Sequence, residues 1–271
     1  MTALSGTPEI IDIDGVGLEV LRLPPNSESH GGGVEGPTIV FLHQGLGSVA
    51  MWRDFPSLVA KVTELSCVVY SRRGYGQSAP RAKAHGIDYK HREAMENLPK
   101  LLGALEIERP ILFGHSDGGS MALIHAAHFP TAGLIVEAPH IFVEEICTSA
   151  IAKMRDMYEP MDFEAKLSRY HRDPAHAFWG WNDIWLEPAF AEWNIEDLLG
   201  QIDCPVLAIQ GENDEYGTMA QLDGIALGTT GTVKLMKLPD CGHTPHREQP
   251  DRVLDAVKDF VVRLMPERTS I

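Results

Sequence analysis

Ser116 is the residue of this chain whose setting best fits a nucleophile. It is the centre of Gly114-His115-Ser116-Asp117-Gly118-Gly119, which follows the apolar run Pro110-Ile111-Leu112-Phe113 and opens a helical pattern from Gly118 to His128. A serine at such a strand-to-helix junction sits on a tight turn with strained backbone, and flanking glycines remove the steric conflict of close approach. The turn projects Oγ into a cleft. The helix behind it offers free N–H groups and the positive end of its dipole to developing negative charge, so the Asp117 amide is an expected oxyanion donor. The chemistry is nucleophilic attack on a carbonyl. A serine hydroxyl is weak at neutral pH and needs a base, and the base needs an orienting acid. The chain has 12 histidines, so the base must be chosen by position.

The elements that would position these groups are short and apolar. Thr38–Leu42, Cys67–Tyr70, Pro110–Phe113, Leu134–Val136, Val206–Ile209 and Val233–Met236 are nearly continuous apolar runs, as strands buried on both faces require. Helical patterns separate them, at Val49 to Val62, Tyr89 to Leu105, Gly118 to His128 and Pro250 to Leu264. Alternating strand and helix predicts an α/β fold with a mostly parallel sheet covered on both sides. Glu9 to Ile13 and Leu18 to Leu23 alternate more clearly and are expected to form an antiparallel edge. Pro24 to Pro37, rich in Gly, Ser, Pro and Glu, reads as a loop. From His140 to Gln201 the strand signal lapses, helical patterns such as Ile151–Tyr158 and Phe163–Tyr170 appear, and Trp179, Trp181, Trp185 and Trp193 cluster. That segment reads as a helical lid whose aromatics wall an apolar pocket, with extra core helices as the plainer alternative.

Several motifs together resemble the α/β-hydrolase family. Phe41-Leu42-His43-Gln44-Gly45-Leu46-Gly47-Ser48 is similar to its His-Gly-x turn, and Ser71-Arg72-Arg73-Gly74-Tyr75-Gly76-Gln77-Ser78 to its Arg-Gly-x-Gly-x-Ser loop. Gly211-Glu212-Asn213-Asp214 resembles the acid turn, and Gly242-His243 the histidine loop. The resemblance implies an eight-stranded sheet with a cap inserted late in the core. The core would then be residues 1–139 and 202–271, and the cap residues 140–201. It also implies a second oxyanion donor, the Gly45 amide. Gln44 departs from the pattern by replacing a glycine; its side chain either bonds substrate or braces the turn.

In this frame the base is His243, in a Gly-flanked loop after the strand Val233–Leu238, and the acid is Asp214, after Val206–Gln210. The order Ser116, Asp214, His243 is the one expected for the fold. Glu212 and Glu215 are local rivals for the acid, and Glu137, after Leu134–Val136, is a distant one. His115, Trp179, Trp181 and Trp185 are candidate pocket residues. His43 is expected to brace the oxyanion turn, and Arg72, Arg73 and Gln77 to brace their own loop. His125 and His128 stand three apart on one helix, but no third ligand is near, so packing is the better reading.

Composition narrows the partners. The net charge of -15 repels phosphate backbones and anionic lipid, so a small-molecule substrate is expected rather than nucleic acid or membrane. Cys67, Cys147, Cys204 and Cys241 lack CxxC spacing, which argues against a zinc site or a disulfide framework. No metal and no cofactor are expected. Met1 to Ile10 shows no basic-then-apolar signal pattern, and no apolar run approaches a membrane span, so the default is a cytoplasmic protein. The function expected is hydrolysis of a small or medium, largely apolar ester, lactone or thioester through an acyl-enzyme. Related chemistry on the same residues is C–C bond hydrolysis of ring-fission products or cofactor-free perhydrolysis. A ligand-binding receptor on a hydrolase scaffold is the alternative of another class.

Overall fold

The computed structural model describes residues 6–25 and 36–265. Most of the Pro24–Pro37 stretch, and residues 1–5 of the Met1–Ile10 segment, lie outside the described residues. In chain order the strands are β1 (Glu9–Ile13), β2 (Val16–Leu23), β3 (Ile39–Leu42), β4 (Cys67–Tyr70), β5 (Ile111–His115), β6 (Gly133–Glu137), β7 (Val206–Gly211) and β8 (Val233–Leu238). The helices are α1 (Phe55–Thr63), α2 (Tyr89–Arg92), α3 (Leu98–Ala104), α4 (Asp117–Ala126), α5 (Glu145–Asp156), α6 (Phe163–Leu167), α7 (Pro174–Trp185), α8 (Ala220–Gly228), α9 (Pro245–Glu248) and α10 (Pro250–Leu264). A π turn, Glu93–Asn97, joins α2 to α3.

The eight strands form one sheet in the order β1-β2-β4-β3-β5-β6-β7-β8. From β4 to β8 all pairs are parallel, and β2 is antiparallel to both β1 and β4. The alternating segments at the start of the chain therefore make the antiparallel edge, and the continuous apolar runs make the parallel centre. Those runs are apolar throughout because consecutive residues serve two cores. Val40 and Leu42 join the cluster that holds α4 and the segment between β6 and β7, whereas Ile39 and Phe41 face α1 and α10. The helical pattern Val49 to Val62 resolves into a 3₁₀ turn, Val49–Trp52, followed by α1. Arg53, between them at φ 56°, bends the chain out of helix.

A parallel sheet delivers the loops after its strands to one edge. Gln44 and Gly45 follow β3, Ser116 follows β5, Asp214 follows β7 and His243 follows β8. Helices α5, α6 and α7 lie between β6 and β7, within the stretch His140 to Gln201. Their aromatic side chains join the same cluster as the sheet's central residues.

Candidate active site

Ser116 holds φ 54° and ψ −116° and caps α4. A non-glycine residue there is strained by about 1–3 kcal/mol and persists only where its surroundings fix it. Here the Ser116 amide donates to the Glu137 carbonyl at 2.8 Å and the Ser120 amide to the Ser116 carbonyl at 3.1 Å. Glycine is required next door, since a Cβ on Gly118 would lie 2.0 Å from the Leu42 carbonyl oxygen. Leu42 ends β3, so this contact sets the elbow directly against the loop of Gln44 and Gly45.

That loop is fixed from behind by Arg72. Its guanidinium donates to the His43 carbonyl and, at 2.9 Å, to the Gln44 carbonyl. The Gln44 carbonyl and the Gly45 N–H belong to one trans peptide and point oppositely. Holding the first toward Arg72 therefore turns the second away from it. His43 completes the brace: its Nε2 accepts from the Arg72 amide at 3.0 Å, and its Nδ1 donates to the Gln44 carbonyl at 2.7 Å. Burial first, then the Arg72 charge, holds His43 well below the usual imidazole range, so it stays neutral. On the open side the indole of Trp181 lies so close that a Cβ on Gly45 would be 2.1 Å from Nε1.

His243 and Asp214 meet across two loops, with Nδ1 2.8 Å from Oδ1 and 3.0 Å from Oδ2. Burial opposes ionisation of Asp214, but the His243 charge and hydrogen bond and the Tyr216 amide, 2.8 Å from Oδ1, bring its carboxyl below the usual value. Gln210 Nε2 donates to Oδ2 at 3.2 Å. With Nδ1 engaged, Nε2 is the nitrogen left for proton transfer. The rivals separate cleanly. Glu212 and Glu215 are exposed, and Glu137 is bonded to His246 Nδ1 at 2.6 Å.

Ser116 and His243 line one cavity of about 200 Å³, together with Gln44, Gly45, Met51, Phe163, Trp181, Trp185 and Tyr216. No Asp, Glu, Lys or Arg is among its lining residues. Of the four candidate pocket residues, Trp181 and Trp185 are in the wall. His115 and Trp179 are not. His115 is buried and donates from Nε2 to the His243 carbonyl at 2.8 Å, which places it behind the loop it supports. Trp179 packs on Tyr158 at 4.8 Å and Phe178 at 5.1 Å. On α7, Trp181 and Trp185 are one turn apart and share a face, whereas Trp179 is two residues from Trp181 and faces elsewhere.

Three wall or anchor residues carried no sequence signal. His140 lines the cavity with Nδ1 unpartnered, its ring 5.0 Å from that of Trp185 and 6.1 Å from that of His243. Burial lowers its pKa to about 3, so it is neutral. The Tyr216 ring lies tilted at 48° with its centroid 4.6 Å from that of His243, and its hydroxyl donates to Met154 Sδ of α5 at 2.9 Å. His171 accepts from the Gly76 amide at 2.9 Å and donates to the Leu46 carbonyl at 3.0 Å, tying the segment between β6 and β7 to the loops after β3 and β4. Each is one histidine or tyrosine among many in sequence, and only the three-dimensional contacts distinguish it.

The chain belongs to the alpha/beta hydrolase family, whose model matches residues 39–256. It is an enzyme of the hydrolase class. It is 27% identical over 208 residues to the serine hydrolase BPHL of Mus musculus, covering 72% of this chain and 68% of that one. It is 26% identical to a 2-succinyl-6-hydroxy-2,4-cyclohexadiene-1-carboxylate synthase of an Enterobacter species, over 84% of this chain and 93% of the relative. A bifunctional esterase/perhydrolase of Acinetobacter calcoaceticus is 23% identical over 65% of this chain and 74% of its own. Among solved structures, the enol-lactonase from Burkholderia xenovorans superposes with a TM-score of 0.71 at 17% identity, covering 94% of this chain and 100% of that one. No helix among the described residues is long and apolar enough to cross a membrane.

Proposed function

We propose that this hydrolase cleaves a small, uncharged carboxylic ester, lactone or thioester through an acyl-enzyme on Ser116. The observation that carries the reading is the 2.8 Å bond between Asp214 and His243 at the wall of an uncharged cavity that also contains Ser116. Ser116 Oγ attacks the carbonyl carbon and gives its proton to His243 Nε2. The Gly45 and Asp117 amides bond the oxyanion. The tetrahedral intermediate collapses, and the alcohol or thiol leaves with the proton from His243. Water then attacks the acyl-enzyme with His243 as base, releasing the acid and free Ser116.

The cavity argues for the substrate class. At about 200 Å³ it is smaller than drug-sized pockets of roughly 300–1,000 Å³, and a charged substrate would find no counter-charge in its wall. Residues 140–201 act as its cap in this reading, with Trp181 and Trp185 as the roof. Wild-type enzyme is expected to hydrolyse short-chain p-nitrophenyl esters and to react covalently with a fluorophosphonate. Ser116→Ala should do neither, and labelling that survives the substitution would defeat the assignment.

A second reading uses the same residues with hydrogen peroxide in place of water as acyl acceptor, giving a peracid. The likeness to the esterase/perhydrolase favours it. Added peroxide would then divert acyl-enzyme to peracid at the expense of free acid.

A further inference from the structure

Beside the nucleophile lies an ion pair whose side-chain charges have no part in this scheme. Lys90, the second residue of α2, has a fully buried side chain. Its Nζ lies 3.2 Å from Asp117 Oδ1 and donates to Ser120 Oγ at 3.5 Å. Around the ammonium stand the rings of Trp193 at 4.1 Å, Trp185 at 4.3 Å and Phe190 at 5.6 Å. Asp117 is also buried, and takes two further donors: Tyr89 Oη on Oδ2 at 2.7 Å and Trp185 Nε1 on Oδ1 at 3.2 Å. Burial opposes its ionisation, but Lys90, Arg72 and the Tyr89 hydroxyl keep the carboxyl below its ordinary value.

The placement creates an electrostatic problem. The residue proposed to hold the oxyanion with its amide carries a carboxylate on the same Cα. Covalent geometry puts that carboxylate roughly 5–7 Å from the oxyanion. Two like charges so close in a water-poor site repel strongly enough to cost about 10- to 100-fold in rate. An asparagine or a methionine after Ser116 would avoid the conflict. This chain instead supplies a cation, and supplies it where substrate cannot reach, since neither Lys90 nor Asp117 lines the cavity.

We propose that Lys90 is a positioning residue for the oxyanion site: held in a cage of Trp185, Trp193 and Phe190, it cancels the Asp117 carboxylate so that the neighbouring amide acts as a donor without an opposing charge. The inference rests on the serine mechanism proposed above. Because Trp185 belongs both to the cavity wall and to the Lys90 cage, the same contacts couple the inserted segment to the elbow.

The test is a charge cycle read in kcat and KM separately, on an ester whose turnover by wild type is lost in Ser116→Ala. Lys90→Met keeps the length of the side chain and removes the cation. It should lower kcat about 10- to 100-fold with KM changed less than about threefold, since ground-state binding does not involve the oxyanion. Asp117→Asn added to Lys90→Met removes the opposing charge and keeps an acceptor for Trp185, while Tyr89 can turn its hydroxyl to accept. The double variant should recover at least about tenfold in kcat over Lys90→Met. Unchanged kcat in a folded Lys90→Met variant, or a double variant no faster than the single, would overturn the proposal. A buried carboxylate left alone can prevent folding, in which case the neutral double variant carries the test. It should stay within about tenfold of wild type, and a loss beyond about 100-fold would show that the pair acts through shape and not charge. Turnover that persists in Ser116→Ala defeats the serine mechanism itself, whereas Ser116-dependent turnover that ignores Lys90 defeats only this inference.

Discussion

Two buried carboxylate–imidazole pairs follow β8, with their histidines three residues apart, His243 in the loop and His246 in α9. Asp214 bonds His243 at 2.8 Å and Glu137 bonds His246 at 2.6 Å. As lists of groups they are alike. They differ in what the far side of each ring meets. His243 opens on the cavity with Ser116, whereas His246 is enclosed by Trp52 at 4.9 Å, His115 at 5.0 Å and Phe55 at 5.2 Å. A base needs a proton donor within reach as well as an orienting acid, and the first pair shares its cavity with Ser116. The second pair lies behind it, where His115, next to both rings, holds the His243 carbonyl at 2.8 Å. In the mechanism proposed above the first pair does the chemistry and its neighbour supports the loop, and access rather than composition makes the difference.

The comparison can be broken in order of expected effect. His243→Ala should lower kcat by at least about 10⁴-fold, because the residues of a nucleophilic unit act together. His246→Ala should instead lower the melting temperature and leave kcat of the folded protein within about tenfold. Equal losses of kcat in the two variants would erase the distinction. Asp214→Asn should cost on the order of 10³-fold in kcat by disturbing the His243 tautomer, with little change in KM. The matching Glu137→Gln change should cost about 1–3 kcal/mol of stability in urea unfolding, from a weakened buried hydrogen bond, and less than about threefold in kcat.

A smaller effect sharpens the comparison through pH. His140, enclosed beside Trp185, has a folded pKa of about 3, far below its unfolded value. A histidine depressed in this way gives stability that is full above about pH 6.5 and falls as the unfolded chain takes up the proton, by about 2 kcal/mol at pH 5. Asp214, also depressed, keeps its contribution until the pH drops below the ordinary carboxylate range of about 4. His140→Gln should therefore flatten the fall in melting temperature between pH 7 and 5, and Asp214→Asn only the fall below about pH 4. A His140→Gln curve parallel to wild type would show that the ring is not held neutral.

Much of the fold was legible because its causes are local. Continuous apolar runs mark strands that must face two cores, and the alternating pattern from Glu9 to Leu23 marks an edge with one wet face. The α10 boundaries, Pro250–Leu264, coincide with the amphipathic pattern and its leading proline. The helix expected from Val49 to Val62 breaks at Arg53, a turn that residue periodicity does not encode. Among the pocket candidates the helical spacing of Trp181 and Trp185 was the usable signal. Counting tryptophans without that spacing also admitted Trp179, which packs on Tyr158 instead.

The sequence by itself determined the elbow, the order of Ser116, Asp214 and His243, and the parallel sheet that carries them to one edge. These follow from turn chemistry, strand patterning and chain order, all of which act over short spans. Only the tertiary structure decided which carboxylate meets which histidine, that His115 faces away from the cavity, and that Lys90 lies buried against Asp117. Those outcomes depend on close packing between segments up to 128 residues apart, as for His115 and the His243 carbonyl, where a side chain's partner is set by burial and access and not by its neighbours in the chain.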